Sequence, residues 1–307
     1  MFRLWSLIGL VGRATAFATC LGVGGGCSWI LNPSAQQCSA DTDCLSYGAQ
    51  FVGGSCVDNL CVPASGDGGS DTPVTLPTGW ECVGNNNPVV PVKAQVQLTI
   101  TVGDLIHPEN SVSDAVVMKS CRKLDVACAT PIVDRVRPDA SGHATFTVEG
   151  GFDGYIEVDP AVNPPIYVPT LIFISIPLAD DAMNPATLLV SIADLAALSQ
   201  SAGGMVDTKL GAVIYRAANC QRMNAAGIVG KLDSDSPDTK RFFFVGGLPT
   251  QTANATDASG LGGFINVPVG VRSLSGTRTT DDLFIGTVSV LVRPGFFSYS
   301  LLAPQPL

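Results

Sequence analysis

Ten cysteines are the residues of this chain whose spacing offers the most chemistry. A cysteine can accept a lipid, form a disulfide or bind a metal, and its neighbours indicate which. The spacings Cys38-x5-Cys44 and Cys56-x4-Cys61 are wider than most zinc-ligand pairs, and no histidine lies nearby. We therefore interpret these four as disulfide cysteines, and we predict no metal and no cofactor.

The remaining polar residues form no recognisable catalytic set. The two histidines, His107 and His143, both stand among turn residues. A serine hydrolase needs a base beside its nucleophile, and the sequence lacks the Gly-x-Ser-x-Gly, His-Glu-x-x-His and phosphate-loop motifs. We predict that the protein is not an enzyme. A carboxylate-pair glycosidase leaves no motif and is the enzymatic alternative that stays open.

Residues 1–26 have the layout of an export signal. Arg3 and Arg13 supply the basic segment, a short apolar run follows, and glycines precede Cys27. Neither apolar part reaches the ~20 residues that a membrane-spanning helix needs. The pair Gly26-Cys27 resembles the cleavage box of bacterial lipoproteins, which implies that Cys27 becomes the N-terminus and carries lipid. The alternative is plain secretion, with Cys27 in a disulfide.

Export determines the expected compartment and partners. We expect a lipid anchor at the outer membrane or cell surface, with a secreted or periplasmic protein as the alternative. Losing Arg3 and Arg13 with the signal changes the formal net charge from −9 to −11. An acidic surface repels phosphate backbones, so we predict no nucleic-acid partner. The expected partners are the membrane, through the anchor, and surface proteins or glycans.

With Cys20 lost in the signal and Cys27 lipidated, an even number of cysteines remains for disulfides. They are Cys38, Cys44, Cys56, Cys61, Cys82, Cys121, Cys128 and Cys220. The first four lie in a small cysteine-dense module and are predicted to pair among themselves, with three connectivities open. The short loop between Cys121 and Cys128 can bring them within disulfide range. Elimination then pairs Cys82 with Cys220.

The composition changes along the chain mark its organisation. Residues 27–62 hold Cys27 and the cysteine-rich module, and residues 63–79 form a flexible linker of Gly, Ser, Asp, Thr and Pro. Beyond the linker, residues 80–190 and 205–307 contain many short apolar stretches separated by turn residues. This pattern predicts an all-β protein with two antiparallel β-sandwiches.

A strand and a helix are the clearest single elements. Apolar residues alternate with polar ones from Val92 to Val102, which predicts a strand with one buried face. Ser191 as N-cap and Asp194 in the first turn predict a short connecting helix over 191–204. The other strands are predicted near 114–120, 132–136, 144–148, 155–158, 170–176, 212–217, 227–232, 241–245, 263–267, 271–274, 285–292 and 296–302.

One tetrapeptide occurs in both predicted sandwiches. Asp139–Gly142 and Asp257–Gly260 both read Asp-Ala-Ser-Gly, a hairpin-turn sequence that precedes apolar alternation each time. The alternation after the second copy is shifted by one residue, which predicts a bulge or an extra turn residue. Such a repeat indicates two related modules.

The repeat lies within motifs of a known family. The second half contains two motifs, Asn224-Ala225-Ala226-Gly227-Ile228 and Thr256-Asp257-Ala258-Ser259-Gly260 with Phe264. In the first half, Ser113-Asp114-Ala115-Val116 takes the place of the Asn224–Ile228 motif. Here the chain resembles the carboxypeptidase-regulatory-like family over roughly 92–158 and 210–302. The resemblance implies transthyretin-like (prealbumin-like) sandwiches and a non-catalytic, accessory role.

The leading hypothesis is therefore a cell-surface lipoprotein with a structural or protein-interaction role. The first alternative is a carbohydrate-binding protein, because sandwiches that bind sugars stack them on exposed aromatic rings. The candidates for sugar stacking are Trp80, Tyr155, Tyr167 and Tyr299. Packing of these rings at the edge of the core is the simpler interpretation. The second alternative is an accessory part of a secreted hydrolase system.

Overall fold

The computed structural model describes residues 38–44, 55–57, 60–62, 76–84, 90–233 and 236–304. The chain divides into two compact units, Met1–Pro73 and Val74–Leu307. The first unit contains the helical turn α1 (Asp41–Cys44) and the paired strands β1 (Ser55–Val57) and β2 (Leu60–Val62). A disulfide joins Cys38 to Cys56, and the Asp41 carboxylate accepts a hydrogen bond from the Cys56 N–H at 2.7 Å.

The second unit is an all-β sandwich fold with one regular helix, α2 (Ile192–Ser201), among the described residues. Its strands are β3 (Gln95–Asp104), β4 (Val116–Cys121), β5 (Val133–Val136), β6 (His143–Glu149), β7 (Tyr155–Pro160), β8 (Thr170–Phe173), β9 (Ala182–Leu189), β10 (Gly211–Ala217), β11 (Ile228–Leu232), β12 (Lys240–Val245), β13 (Leu248–Thr250), β14 (Leu261–Val267), β15 (Gly270–Arg278), β16 (Phe284–Val292) and β17 (Phe297–Leu302). The period-two prediction is confirmed in β3, where every second side chain is buried.

Three sheets make up this unit. A nine-stranded sheet runs in the order β13-β12-β14-β10-β17-β8-β7-β4-β5, and two three-stranded sheets have the orders β6-β3-β9 and β11-β15-β16. The long sheet takes strands from both predicted sandwiches, because β17 pairs with β8 through Phe297–Thr170, Ser298–Leu171 and Tyr299–Ile172. The domain boundaries 80–190, 191–204 and 205–307 stay predictions. The β8–β17 pairing links the two predicted sandwiches by backbone hydrogen bonds.

Most of the described strand pairs are antiparallel as predicted, but three of them are parallel. Strand β17 is parallel to both β8 and β10, and β9 is parallel to β3. Parallel partners are joined by long connections, so no hairpin turn in the sequence announces them. Strands buried on both faces also lack polar alternation, as β8 and β10 do.

The two small sheets pack on opposite faces of the long sheet. Leu171 of β8 belongs to the same core cluster as Leu274 of β15, whereas its neighbour Ile172 belongs to the cluster that contains Leu98 of β3. Because successive side chains of a strand point to opposite faces, the two sandwiches use opposite sides of the sheet that they share. Each of its central strands is therefore covered twice.

Both halves have the same strand plan. The first strand of each half, β3 or β10, is antiparallel to the strand that follows the Asp-Ala-Ser-Gly turn and parallel to the last strand of that half. The two turns are also alike: the Asp carboxylate accepts from the Ser141 or Ser259 N–H at 2.8 Å. A bulge does occur in β14, but later than predicted: Leu261 to Phe264 pair regularly with β10 after the turn, and Ile265 and Asn266 then oppose one residue of β10.

Helix α2 begins and ends at the predicted signals. The Ser191 Oγ accepts a hydrogen bond from the Asp194 N–H at 3.0 Å, which caps the first turn. Gly203 and Gly204 follow the helix with positive φ. Leu195 and Leu198 pack with Phe242 and other residues on the second half of the long sheet, so the helix covers a face that no small sheet covers.

Two described strands of the second unit were not predicted. Strand β9 contains Pro185, which has no N–H to donate, and proline is uncommon inside strands. Its position at the edge of its sheet, with a register irregularity opposite Ile100 and Val102, accommodates the proline. Strand β13 has three residues, too few for a periodic pattern.

Replacing Gly260 with alanine tests the repeated turn. Gly260 has φ +70°, and a Cβ there would lie 2.5 Å from the Ala217 carbonyl oxygen. We expect Gly260→Ala to lower the free energy of unfolding by about 3 kcal/mol, because strain at positive φ costs about 1–2 kcal/mol before any clash. Gly247→Ala is the matched control, since Gly247 has φ +86° and open space around it. Urea denaturation with intact disulfides measures both; equal losses would contradict a steric role for the turn.

Candidate functional site

The four aromatic residues considered for sugar stacking are all buried. The exposed fractions are 6% for Trp80, 0% for Tyr155, 3% for Tyr167 and 9% for Tyr299. Trp80 lies under the Arg278 guanidinium, 5.6 Å from it, and the Tyr167 hydroxyl donates to the Asp104 carboxylate at 3.0 Å. None of these rings presents a free face to a sugar. Their burial contradicts the stacking alternative for these four rings and bears out the simpler interpretation, packing against the core.

The histidines lie beside carboxylates. His107 has Nδ1 3.4 Å from Glu109 and Nε2 3.9 Å from Asp194, and His143 has Nδ1 3.6 Å from Asp139. The Ser191 hydroxyl donates to the Asp194 carboxylate at 2.6 Å rather than to an imidazole. A serine nucleophile needs the imidazole as its acceptor, so this group serves as a helix cap.

Two disulfides lie in the second unit. Cys121–Cys128 has a Cα separation of 5.4 Å and Cys82–Cys220 one of 5.8 Å, and these are the pairs that short spacing and elimination indicated. Sulfur atoms of Cys121 and Cys128 lie close to a Glu157 carboxylate oxygen. They offer no metal site in this oxidised state, because the metal ligand is a thiolate. The side chains of Cys44 and Cys61, and all of Cys27, lie outside the described residues.

A buried charge network joins the two halves beside the Cys121–Cys128 disulfide. Arg293, which follows β16, contacts the Glu157 carboxylate of β7 at 2.8 Å and donates to the Tyr155 hydroxyl at 2.7 Å. Lys119 approaches the same carboxylate at 3.2 Å and Asp159 at 3.1 Å. Glu157 is 4% exposed. A carboxylate this deeply buried requires its two cations, so the network fixes the first half against the second.

The electrostatics of the network favour its charged form. Burial raises the pKa of Tyr155 to about 12, so its hydroxyl stays protonated and can donate to the Asp125 carbonyl. Burial opposes the positive charge of Lys119, but the hydrogen bond to Asp159 and the attraction of both carboxylates raise its pKa overall. Lys119 is therefore an ammonium ion at neutral pH, and its contacts are ion pairs.

A groove of about 260 Å³ lies where the two halves meet on the long sheet. We call it the arginine groove, because Arg216 of β10 and Arg222 of the following loop line it. Its apolar lining includes Leu98 of β3, Met183 of β9 and Leu301 of β17, and Asn184 adds a side-chain amide. Strand pairing places Arg216 directly beside Leu301, and Leu98 beside Ala182 at the start of β9.

The two guanidinium groups of the arginine groove are uncompensated. Within the part of the chain that the structure describes, neither has an ion pair or a side-chain hydrogen bond. Desolvation by the surrounding protein lowers the pKa of each. An arginine stays charged even so, and two such cations in an acidic protein create a local anion-attracting field. Sequence analysis missed them because a single arginine in a strand has no motif.

A second pocket, of about 360 Å³, is lined by Arg135, Arg137 and Asp159. Here Lys119 neutralises Asp159, and Arg137 donates to the Asp114 carbonyl at 3.5 Å. Arg135 and Arg137 are both exposed, as Arg222 is, whereas Arg216 of the arginine groove is partly buried. The arginine groove is therefore the better candidate site.

None of the helices in the described ranges is both long and apolar enough to cross a membrane. No family model matches the chain, and no curated protein matches it. The resemblance to the carboxypeptidase-regulatory-like family thus stays a prediction.

Solved structures give weak similarities. The TIE protein of Bacillus anthracis is 12% identical with a TM-score of 0.23; the match covers 69% of this chain and 34% of that one, so the chain spans about a third of its length. GBS52, the minor pilin of Streptococcus agalactiae, is 14% identical with a TM-score of 0.22 and coverages of 69% and 96%. A family CBM26 module of Eubacterium rectale Amy13K, solved with maltoheptaose, is 8% identical with a TM-score of 0.24 and coverages of 68% and 93%. Scores this low carry no argument about this chain.

Removing each disulfide separately tests which one holds the unit together. The separation of 138 residues between Cys82 and Cys220, against 7 between Cys121 and Cys128, makes the first closed loop far longer. The chain-entropy relation gives about 5 kcal/mol for the long loop and about 2 kcal/mol for the short one. We expect Cys82→Ser/Cys220→Ser to lose correspondingly more unfolding free energy than Cys121→Ser/Cys128→Ser in guanidinium titrations. The reverse order would contradict the entropic account.

Substituting Arg293 tests the buried network. Arg293→Met leaves Glu157 with Lys119 alone, and we expect a loss of about 3 kcal/mol in thermal or urea unfolding, because breaking a buried ion pair strands a charge. Lys123→Met is the matched control: its partner Asp153 is exposed and the pair is worth about 0.5 kcal/mol. The double variant Arg293→Met/Glu157→Gln should recover part of the loss; no recovery would mean that the charge pairing is not what stabilises the junction.

Proposed function

We propose that the protein is a non-catalytic, exported cell-surface lipoprotein that displays a rigid β-sandwich body as a structural or protein-interaction module. The observation that carries the proposal is the construction of residues 74–307. Two sandwiches share one nine-stranded sheet, and the Cys82–Cys220 disulfide and the buried Arg293–Glu157 pair tie them together. So much cross-linking suits a protein that keeps its shape outside the cell.

Oxidised cysteines support the export part of this proposal. Disulfides persist in oxidising compartments and are rare in the cytosol, and the described residues contain three. Cys27, preceded by glycines and a short apolar run, is the proposed lipid acceptor. Residues 63–79, rich in Gly, Ser, Asp, Thr and Pro, are the proposed linker between the membrane-proximal module and the sandwiches.

The four aromatic rings on which the carbohydrate-binding alternative depended are buried and cannot stack on a sugar. A role as an accessory part of a secreted hydrolase system rests on no observation of the described residues. A protein partner remains, and the arginine groove is the surface of this body with the chemistry to select one.

Lipid attachment is tested by intact-mass measurement on membrane extracts of cells that make the full chain. We expect a chain that begins at Cys27 and carries acyl chains, and we expect Cys27→Ser to leave the membrane fraction. Cys20→Ser is the matched control, since Cys20 is removed with the signal and its variant should stay anchored. A wild-type protein that is soluble and begins downstream of Cys27 would refute the anchor.

A further inference from the structure

We propose that the arginine groove binds the C-terminal carboxylate of a partner polypeptide whose last residue is apolar. The inference names a partner chemistry for the proposed interaction role and rests on that role. Its starting point is the pair Arg216 and Arg222, two cations without a counter-charge among the described residues, placed in one concave site.

The charge of the ligand follows from the guanidinium groups. Arginine presents a planar fork of N–H donors that fits a carboxylate in a bidentate manner. The partly buried Arg216 is removed from some of its hydration without receiving a protein acceptor in return. An incoming oxyanion would supply the missing acceptor, so the groove favours a negatively charged group at the Arg216 end.

The apolar part of the ligand follows from the lining. Leu98, Phe173, Leu178 and Leu301 form the walls, and Met183 is 69% exposed at the rim. Methionine is flexible and adapts to apolar groups of different shapes. A volume of about 260 Å³ is slightly smaller than ordinary ligand pockets and has room for a small group such as one terminal residue. The groove therefore suits a carboxylate attached to a side chain such as leucine.

A peptide fits the remaining polar groups better than a free aliphatic acid does. Asn184 lies in the lining with its side-chain amide, which offers both donors and an acceptor. It belongs to β9, an edge strand of its sheet. An edge strand has unpaired backbone groups and can add an extended peptide. The amide of a peptide's last residue would use these groups, whereas an aliphatic chain would leave them unpaired.

Binding is measured on the full chain with its disulfides intact and its methionine methyl groups labelled with ¹³C. The probe is N-acetyl-leucine, which mimics an apolar C-terminal residue. We expect saturable shifts of the Met183 methyl signal with a dissociation constant in the millimolar range or tighter. Met205, whose carbonyl binds Asn266, is the internal reference and should not respond.

Variants and ligands separate the parts of the proposal. Arg216→Gln/Arg222→Gln should weaken binding at least about tenfold, because both charge-assisted bonds are lost. Arg122→Gln, a change at an exposed loop arginine, should leave it unaltered. N-acetyl-leucinamide, which lacks the carboxylate, and inorganic phosphate, which lacks the apolar group, should both bind at least about tenfold more weakly.

Four results would overturn the inference: no Met183 response at about 20 mM probe, equal weakening by Arg122→Gln, equal binding of N-acetyl-leucinamide or of phosphate, or tighter binding of hexanoate than of N-acetyl-leucine. The last would assign the groove to an aliphatic acid instead of a peptide. Lipid and membrane are not needed for the measurement, so a negative result would leave the test of anchoring at Cys27 unaffected.

Discussion

The parallel pairing of β8 with β17 is the constraint on which the rest of the second unit depends. Three register pairs, from Thr170–Phe297 to Ile172–Tyr299, turn two sets of strands into one nine-stranded sheet. Ser298 stands between Leu171 and Val213 on one face, and Tyr299 stands between Ile172 and Ile214 on the other. A shift of one residue would exchange these faces. The side chains of β8 and β17 would then point into the wrong core on each face. The register of the β8–β17 pairing and the packing of the two cores therefore depend on each other.

This join explains why the cross-links lie where they do. The small sheets β6-β3-β9 and β11-β15-β16 pack on opposite faces of the long sheet. They therefore do not pack against each other. The Cys82–Cys220 disulfide and the Arg293–Glu157 pair add to the β8–β17 ladder, and Glu157 lies in the next strand, paired with Leu171 of β8. Helix α2 fills the face of the second half that its own small sheet does not reach. The disulfide, the ion pair and the helix add contacts to the three register pairs of β8 and β17.

Local sequence patterns predicted the elements well and their assembly poorly. Alternation in β3, the cap of α2 at Ser191 and the two Asp-Ala-Ser-Gly turns are signals contained within a few residues, and each is present as expected. Parallel pairing depends on residues more than a hundred positions apart in the case of Thr170 and Phe297, and no short-range signal encodes it. Packing of Tyr299 against the core is the simpler interpretation of the sequence, but its position between β8 and β10 of one sheet depends on the same non-local pairing.

The arginine groove shows how a candidate binding site can arise from such non-local assembly. Arg216 sits on β10 one position after the fully buried Tyr215, where alternation directs it to the opposite face. In an isolated second sandwich that end of the strand would be exposed to water, and the arginine would be an ordinary solvated residue. The shared sheet instead brings Leu98 and the start of β9 to the same region. Apolar walls and reduced hydration then surround a charge that remains unpaired among the described residues, and a site is created by the way in which the two halves are joined.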